Sequence, residues 1–113
     1  MKAQELRIGN KIQFDSHLYI VNSVVMKQVE EGFVQYQPIP LTEEWLLKFG
    51  FEKQGHVKFM GEAYQRFVLG RNGIYSINKI AYIYEVNDHD LCEIKYIHQL
   101  QNLHFALTGE ELT

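Results

Sequence analysis

The spacing of apolar and polar positions divides the chain into a β-rich front, a short central helix, a β-rich middle and a helical end. The turn signal Leu6-Arg7-Ile8-Gly9-Asn10 launches Lys11-Ile12-Gln13-Phe14, and Asp15-Ser16-His17 reads as a second turn. Leu18-Tyr19-Ile20-Val21 opens a run rich in β-branched and aromatic residues that reaches Val24, Val25 and Met26. The front therefore predicts a β-hairpin with a long second strand. Gln28 to Gly32 is polar and reads as the next connection, with Phe33-Val34-Gln35-Tyr36 as a third strand. Pro38 and Pro40 end that strand and confine it to an edge.

The best-marked element is Pro38-Ile39-Pro40-Leu41-Thr42-Glu43-Glu44-Trp45-Leu46-Leu47-Lys48-Phe49-Gly50-Phe51. Thr42 is an N-cap candidate, because its hydroxyl can accept from an orphaned backbone N–H. Glu43 and Glu44 suit the positive end of the helix dipole and Lys48 the negative end. Leu41 before the cap and Leu46 inside it have the spacing of a hydrophobic staple, and Gly50 can take the left-handed stop position. A helix of about two turns cannot stand alone in water. Trp45, Leu46, Phe49 and Phe51 are accordingly expected to be buried.

His56 to Met60 predicts a strand, and Gln65 to Leu69 and Ile74 to Ile77 flank Gly70-Arg71-Asn72-Gly73, where Asn-Gly favours a type I′ turn. Asn78-Lys79 reads as a turn into Ile80 to Val86, and Asn87-Asp88-His89-Asp90 as another, after which Leu91 to Ile94 pairs back. The middle is thus an expected antiparallel meander. The period then changes. Ile97, Leu100, Leu103 and Leu107 recur three or four apart and predict an amphipathic helix from Tyr96 to Leu107, stopped by Thr108-Gly109 and followed by a frayed tail.

Composition narrows the class. A length of 113 residues supports one sizeable core and is short for two ordinary domains, so a single domain over residues 1–113 is expected. The net charge of −3 argues against attraction of the whole surface to nucleic acid or anionic lipid. A single cysteine, Cys92, cannot form an internal disulfide. The opening Met-Lys-Ala-Gln-Glu-Leu-Arg has no apolar run behind its charges and does not read as a secretory signal. No window approaches the roughly 18 apolar residues a membrane helix needs, and the cytoplasm is the expected compartment.

Candidate chemistry is sparse. His98 and His104 are six apart, about 240° around a helix, and cannot form the i, i+4 pair of a helical zinc site. His89-Asp90-Leu91-Cys92 has a ligand-like spacing with no second pair, and structural zinc wants four ligands. The histidines are expected in turns and on the surface, and Cys92 as a small, half-buried strand residue. The paired acids Glu30-Glu31, Glu43-Glu44 and Glu110-Glu111 are sequence neighbours that point in different directions. No glycine pattern matches a phosphate-binding loop. No enzyme activity, cofactor or metal is expected.

Two binding readings remain. On the terminal helix Tyr96, Gln99, Gln101, Asn102 and Phe105 offer amide and aromatic groups with little charge, which suits contact with another protein or a second copy. Alternatively Lys58, Arg66, Arg71 and Lys79 lie among aromatics on the meander, as in single-strand nucleic-acid binders. That alternative requires the four cations to share one exposed face, and the same aromatics equally make a core.

Three segments carry a resemblance: Glu5-Leu6-Arg7-Ile8-Gly9-Asn10, the central stretch from Pro38 to Phe51, and Lys95-Tyr96-Ile97-His98-Gln99-Leu100-Gln101-Asn102-Leu103-His104-Phe105-Ala106-Leu107-Thr108-Gly109-Glu110-Glu111-Leu112. Together, over roughly a third of the chain, they resemble a family of small uncharacterised proteins of bacterial chromosomes, prophages and other mobile elements. The resemblance implies an intracellular accessory protein and supplies no catalytic residue. Leu6 to Ile12 with Tyr19-Ile20-Val21 also resembles the first hairpin of SH3-like barrels, which bind proteins or nucleic acids. The expected architecture is α+β: an N-terminal hairpin region and an antiparallel meander packed with a short central helix and a C-terminal helix. The expected function is binding of a protein partner or of a second copy, with no membrane involvement and nucleic acid as the alternative.

Overall fold

Asp15 and Ser16 both adopt left-handed backbone conformations, with φ of 49° and 64°. That pair of angles is what a two-residue turn between twisted strands requires. It joins the first two elements of a computed structural model that describes residues 3–32, 34–69, 75–80, 83–87 and 92–113. After a 3-10 turn at Ala3–Glu5, the elements are β1 (Lys11–Phe14), β2 (His17–Ile20), α1 (Ser23–Glu31), α2 (Glu43–Lys48), β3 (Phe51–Phe59), β4 (Glu62–Leu69), β5 (Ser76–Ile80), β6 (Ile83–Asn87), β7 (Cys92–Ile94) and α3 (Ile97–Thr108). The fold is α+β, with antiparallel sheets of two and five strands.

The chain forms two compact units, one from Met1–Pro40 with Tyr96–Thr113 and an inserted one from Leu41–Lys95. Each has its ends side by side. In the first unit Pro40 bridges Tyr96, and the Ile97 N–H donates to the Ile39 carbonyl at 2.9 Å. In the inserted unit the Leu41 N–H donates to the Lys95 carbonyl at 2.9 Å.

The first unit pairs β1 with β2 from Lys11↔Ile20 to Phe14↔His17. Its apolar cluster is Leu6, Ile12, Val21, Val25 and Tyr36, with Met26, Val29 and Val34 packed against it. The expected continuation of β2 to Met26 does not occur: Ser23–Glu31 is helix. The Asn22 side chain accepts from the Val25 N–H at 2.9 Å, and Gly32 at φ 73° closes the other end. Val25 and Val29, four apart, face the cluster, so a cap and a buried stripe outweigh the β preference of valine. Asn22→Ala should cost about 1 kcal/mol in urea denaturation, with no change in the spectrum of the folded state. Residues 34–37 contribute only the Gln13↔Gln37 bridge, not a strand; Phe33 lies outside the described residues. The tail is tied down rather than frayed, with Leu112 buried and Glu111 paired to Arg7.

The inserted unit follows its sequence signals closely. The Thr42 hydroxyl accepts from the Trp45 N–H at 3.3 Å, and Gly50 takes φ 97°. Leu46, Phe49 and Phe51 are buried; Trp45 is half-buried, with its ring against Phe49 and under the Lys48 ammonium. The sheet order β3-β4-β5-β6-β7 is the expected meander. The Asn72-Gly73 turn lies outside the described residues. Asn78 and Lys79 are not a turn: β5 runs on to Ile80, which pairs with Ile83. The registers Phe51↔Leu69, Phe67↔Ile77, Ile77↔Val86 and Tyr84↔Ile94 put Phe51, Phe67, Ile77, Val86, Tyr84 and Ile94 on one face, and all six are buried. A bulge between Lys53 and His56, at Gly55 with φ 67°, re-aims the outer half of β3.

Candidate interaction surface

The polar residues of α3 that suggest a contact face are mostly used inside the first unit. Gln101 is fully buried: its Oε1 accepts from the Lys11 N–H at 2.9 Å, and its Nε2 donates to the carbonyls of Leu112 at 3.0 Å and Gly9 at 3.4 Å. The Asn102 oxygen accepts from Arg7 at 3.0 Å and from Asn10 at 2.8 Å, while its nitrogen donates to the Glu5 carbonyl at 2.9 Å. The Gln99 side chain accepts from the Tyr96 N–H at 3.1 Å as part of the helix start. The Tyr96 ring stacks on His98 with centroids 5.9 Å apart. Phe105 is exposed, but the Arg7 guanidinium lies 4.0 Å from its ring centroid. Arg7 also pairs with Glu111. These contacts join the segments Glu5–Lys11 and Gln101–Leu112, so two of the stretches that carry the family resemblance meet in one polar lock.

His98 and His104 are buried, not on the surface as expected. Neither ring nitrogen of His98 has a hydrogen-bond partner among the described residues, and the Glu5 carboxylate stands 4.0 Å from Nε2. Burial lowers both imidazoles below the ordinary 6.5, with Glu5 opposing the shift at His98 and Glu110 and Glu111 opposing it at His104. The unfolded chain therefore binds protons that the folded one refuses. Stability should be full above about pH 6.5 and fall as pH drops below it. His98→Leu should flatten that fall, as read by urea midpoints between about pH 7 and 5. An unchanged slope would remove His98 as a cause.

The cations of the nucleic-acid alternative do not share a face. Arg66 pairs with Asn78, next to the buried pair Phe67↔Ile77, and so lies on the opposite face from Phe67. Lys79 has the parity of Ile77, and Lys58, through its partner Ala63, the parity of Phe67. Lys58 and Lys79 are thus on one face and Arg66 on the other; Arg71 lies outside the described residues. Of the His89/Cys92 pair, His89 is also outside them. Among the described residues no group of His, Cys, Asp and Glu is placed to hold a metal.

A continuous run of exposed apolar side chains lies elsewhere in the first unit. All four residues of β2 are exposed, including Leu18 at 52%, Tyr19 at 39% and Ile20 at 56%. Tyr19 leans on the rings of Phe14 and Tyr36, with centroids 6.4 and 5.7 Å away. Among the described residues no strand pairs with the far edge of β2. An open edge carrying exposed apolar side chains is a template for another strand. The sequence contains the signal in part: Leu18 to Val21 is apolar on both faces, which a strand open on one side does not need. Taking α1 for more strand hides that β1 and β2 form a sheet of only two.

No family model, curated protein or solved structure matches the chain. Among the described residues no helix is long and apolar enough to cross a membrane.

Proposed function

We propose that the chain is a non-enzymatic, cytoplasmic protein-binding module whose contact surface is β2. One observation carries this reading: a four-residue strand with every residue exposed, three of them large and apolar, whose far edge no described strand covers. Backbone groups along such an edge give affinity, and the alternate side chains give selectivity. The resemblance of the Glu5–Asn10, Pro38–Phe51 and Lys95–Leu112 segments to small phage and mobile-element proteins suggests an accessory role there. The split of Lys58 and Lys79 from Arg66 lends the nucleic-acid alternative no support.

The test is capture of partners from host lysate by the tagged chain, with and without nuclease, beside the variant Leu18→Lys/Ile20→Lys. The expected result is a stoichiometric protein that survives nuclease and is lost with the variant. Recovery of nucleic acid, or proteins held equally by both forms, would overturn the assignment of β2.

A further inference from the structure

The backbone of β2 is self-complementary. Gln13 exchanges both of its backbone bonds with Gln37, N–H to O at 2.9 Å and O from N–H at 2.7 Å, so it points away from β2. Its neighbours Ile12 and Phe14 therefore point towards β2, where their partners are Tyr19 and His17. Leu18 and Ile20 must then direct their N–H and C=O groups to the open edge, and no described residue bonds them there. Two bonding residues flank one central residue, Tyr19.

We infer that two copies of the chain pair antiparallel through β2, with a two-fold axis at Tyr19. This inference rests on the protein-binding reading and names the partner as a second copy. In that register Leu18 of one copy lies opposite Ile20 of the other, and both exchange N–H···O=C bonds, which gives four intermolecular bonds. Opposed residues share a face, so the two Leu18 and two Ile20 side chains, each about half exposed in one copy, form a single apolar cluster. On the other face Tyr19 meets its own copy beside Phe14 and Tyr36. Shifting the pairing by one residue would set outward backbone groups against inward ones, and shifting it by two would leave one outward β2 residue of each copy paired instead of two, so the register centred on Tyr19 makes the most bonds.

Charge also favours a second copy. His17-Leu18-Tyr19-Ile20 contains no Asp, Glu, Lys or Arg, and the same pairing sets His17 against the apolar Val21. A strand bearing a net charge would oppose that charge to itself under the two-fold, and β2 does not. Nor does β2 offer a charged side chain with which to select an oppositely charged strand. The product is a four-stranded sheet, β1-β2-β2-β1, in place of a two-stranded one that is marginal by itself. Four residues a side bury well under the roughly 1,200 Å² of a tight complex, so a weak, readily reversible dimer is expected.

Sedimentation equilibrium from about 5 µM to about 1 mM tests this, with the expected result a reversible monomer–dimer equilibrium. Leu18→Lys/Ile20→Lys opposes like charges at both outward pairs and should weaken the dimer at least about tenfold. Leu18→Glu/Ile20→Lys opposes unlike charges at the same pairs and should retain it, a pattern specific to the two-fold at Tyr19. Both positions are about half exposed, so unchanged circular dichroism and thermal midpoints verify that each variant is folded. A chain that stays monomeric throughout, a dimer indifferent to the like-charge variant, or equal loss in both variants would overturn the inference. A monomer whose nuclease-resistant lysate partner is lost in the like-charge variant would overturn self-pairing alone and leave the protein-binding reading standing.

Discussion

Gln101→Leu is expected to destabilise the first unit by about 2–5 kcal/mol, although the side chains are similar in volume. Gln101 is fully buried and bonds three backbone groups drawn from segments far apart in sequence: the Lys11 N–H, the Gly9 carbonyl and the Leu112 carbonyl. An apolar replacement removes the Gln101 bond from each of those groups. Leaving a buried polar group unmade costs about 1–3 kcal/mol, which exceeds the gain from burying an isobutyl group instead of an amide. Gln101→Glu should be similarly harmful. It keeps the acceptor for Lys11 but loses the donor to Leu112 and buries a charge. Urea denaturation supplies the magnitude, and amide exchange at Lys11 supplies the place, since that N–H should lose protection before the rest of β1. A loss under about 0.5 kcal/mol would mean that water replaces the amide without penalty.

Phe67→Ala should cost about 3–5 kcal/mol in the inserted unit. Phe67 is fully buried on β4 between Lys53 of β3 and Ile77 of β5, on the face that also carries Val86, Tyr84 and Ile94. The substitution removes the six ring carbons from the middle of that face, and backbone hydrogen bonds on both sides of β4 prevent the sheet from closing over the gap. Domains of this size shift by about 4–8 °C per kcal/mol, so the calorimetric midpoint should fall by more than about 12 °C. Phe67→Leu should recover over half of the loss, because it restores most of the volume. A small effect from Phe67→Ala would show that the sheet face is less tightly packed than its burial implies.

The inserted unit was legible because local signals decide it. Thr42, Gly50 and the alternating runs around Phe67 and Tyr84 specify a capped helix and a meander of sequence neighbours, and the structure has both. The first unit was less legible because long-range contacts decide it. Nothing within reach of Gln101 in sequence says that its partners are Lys11 and Leu112, so an amide on a helix reads as a surface contact residue. Burial of His98 has the same origin. Val24 and Val25 favour a strand locally, and the Asn22 cap, the Gly32 stop and the packing of Val25 and Val29 into the apolar cluster make that segment helical. Once Ser23–Glu31 is helix, β2 loses the strand run expected to follow it, and the candidate surface moves from α3 to β2.

The insertion has a consequence for synthesis. Arg7 and Asn102 are bonded across 95 positions, so the polar lock cannot close until the helix that follows the inserted unit has been made. Leu41–Lys95 is complete and free to fold earlier. At roughly 5–20 residues per second, β1 and β2 wait on the order of 5–20 s at the ribosome before Gln101 arrives. During that interval the Gly9 carbonyl lacks its bond from Gln101 and no described strand covers the far edge of β2. The nascent hairpin then presents exposed apolar side chains on β2 that a chaperone or another strand can cover.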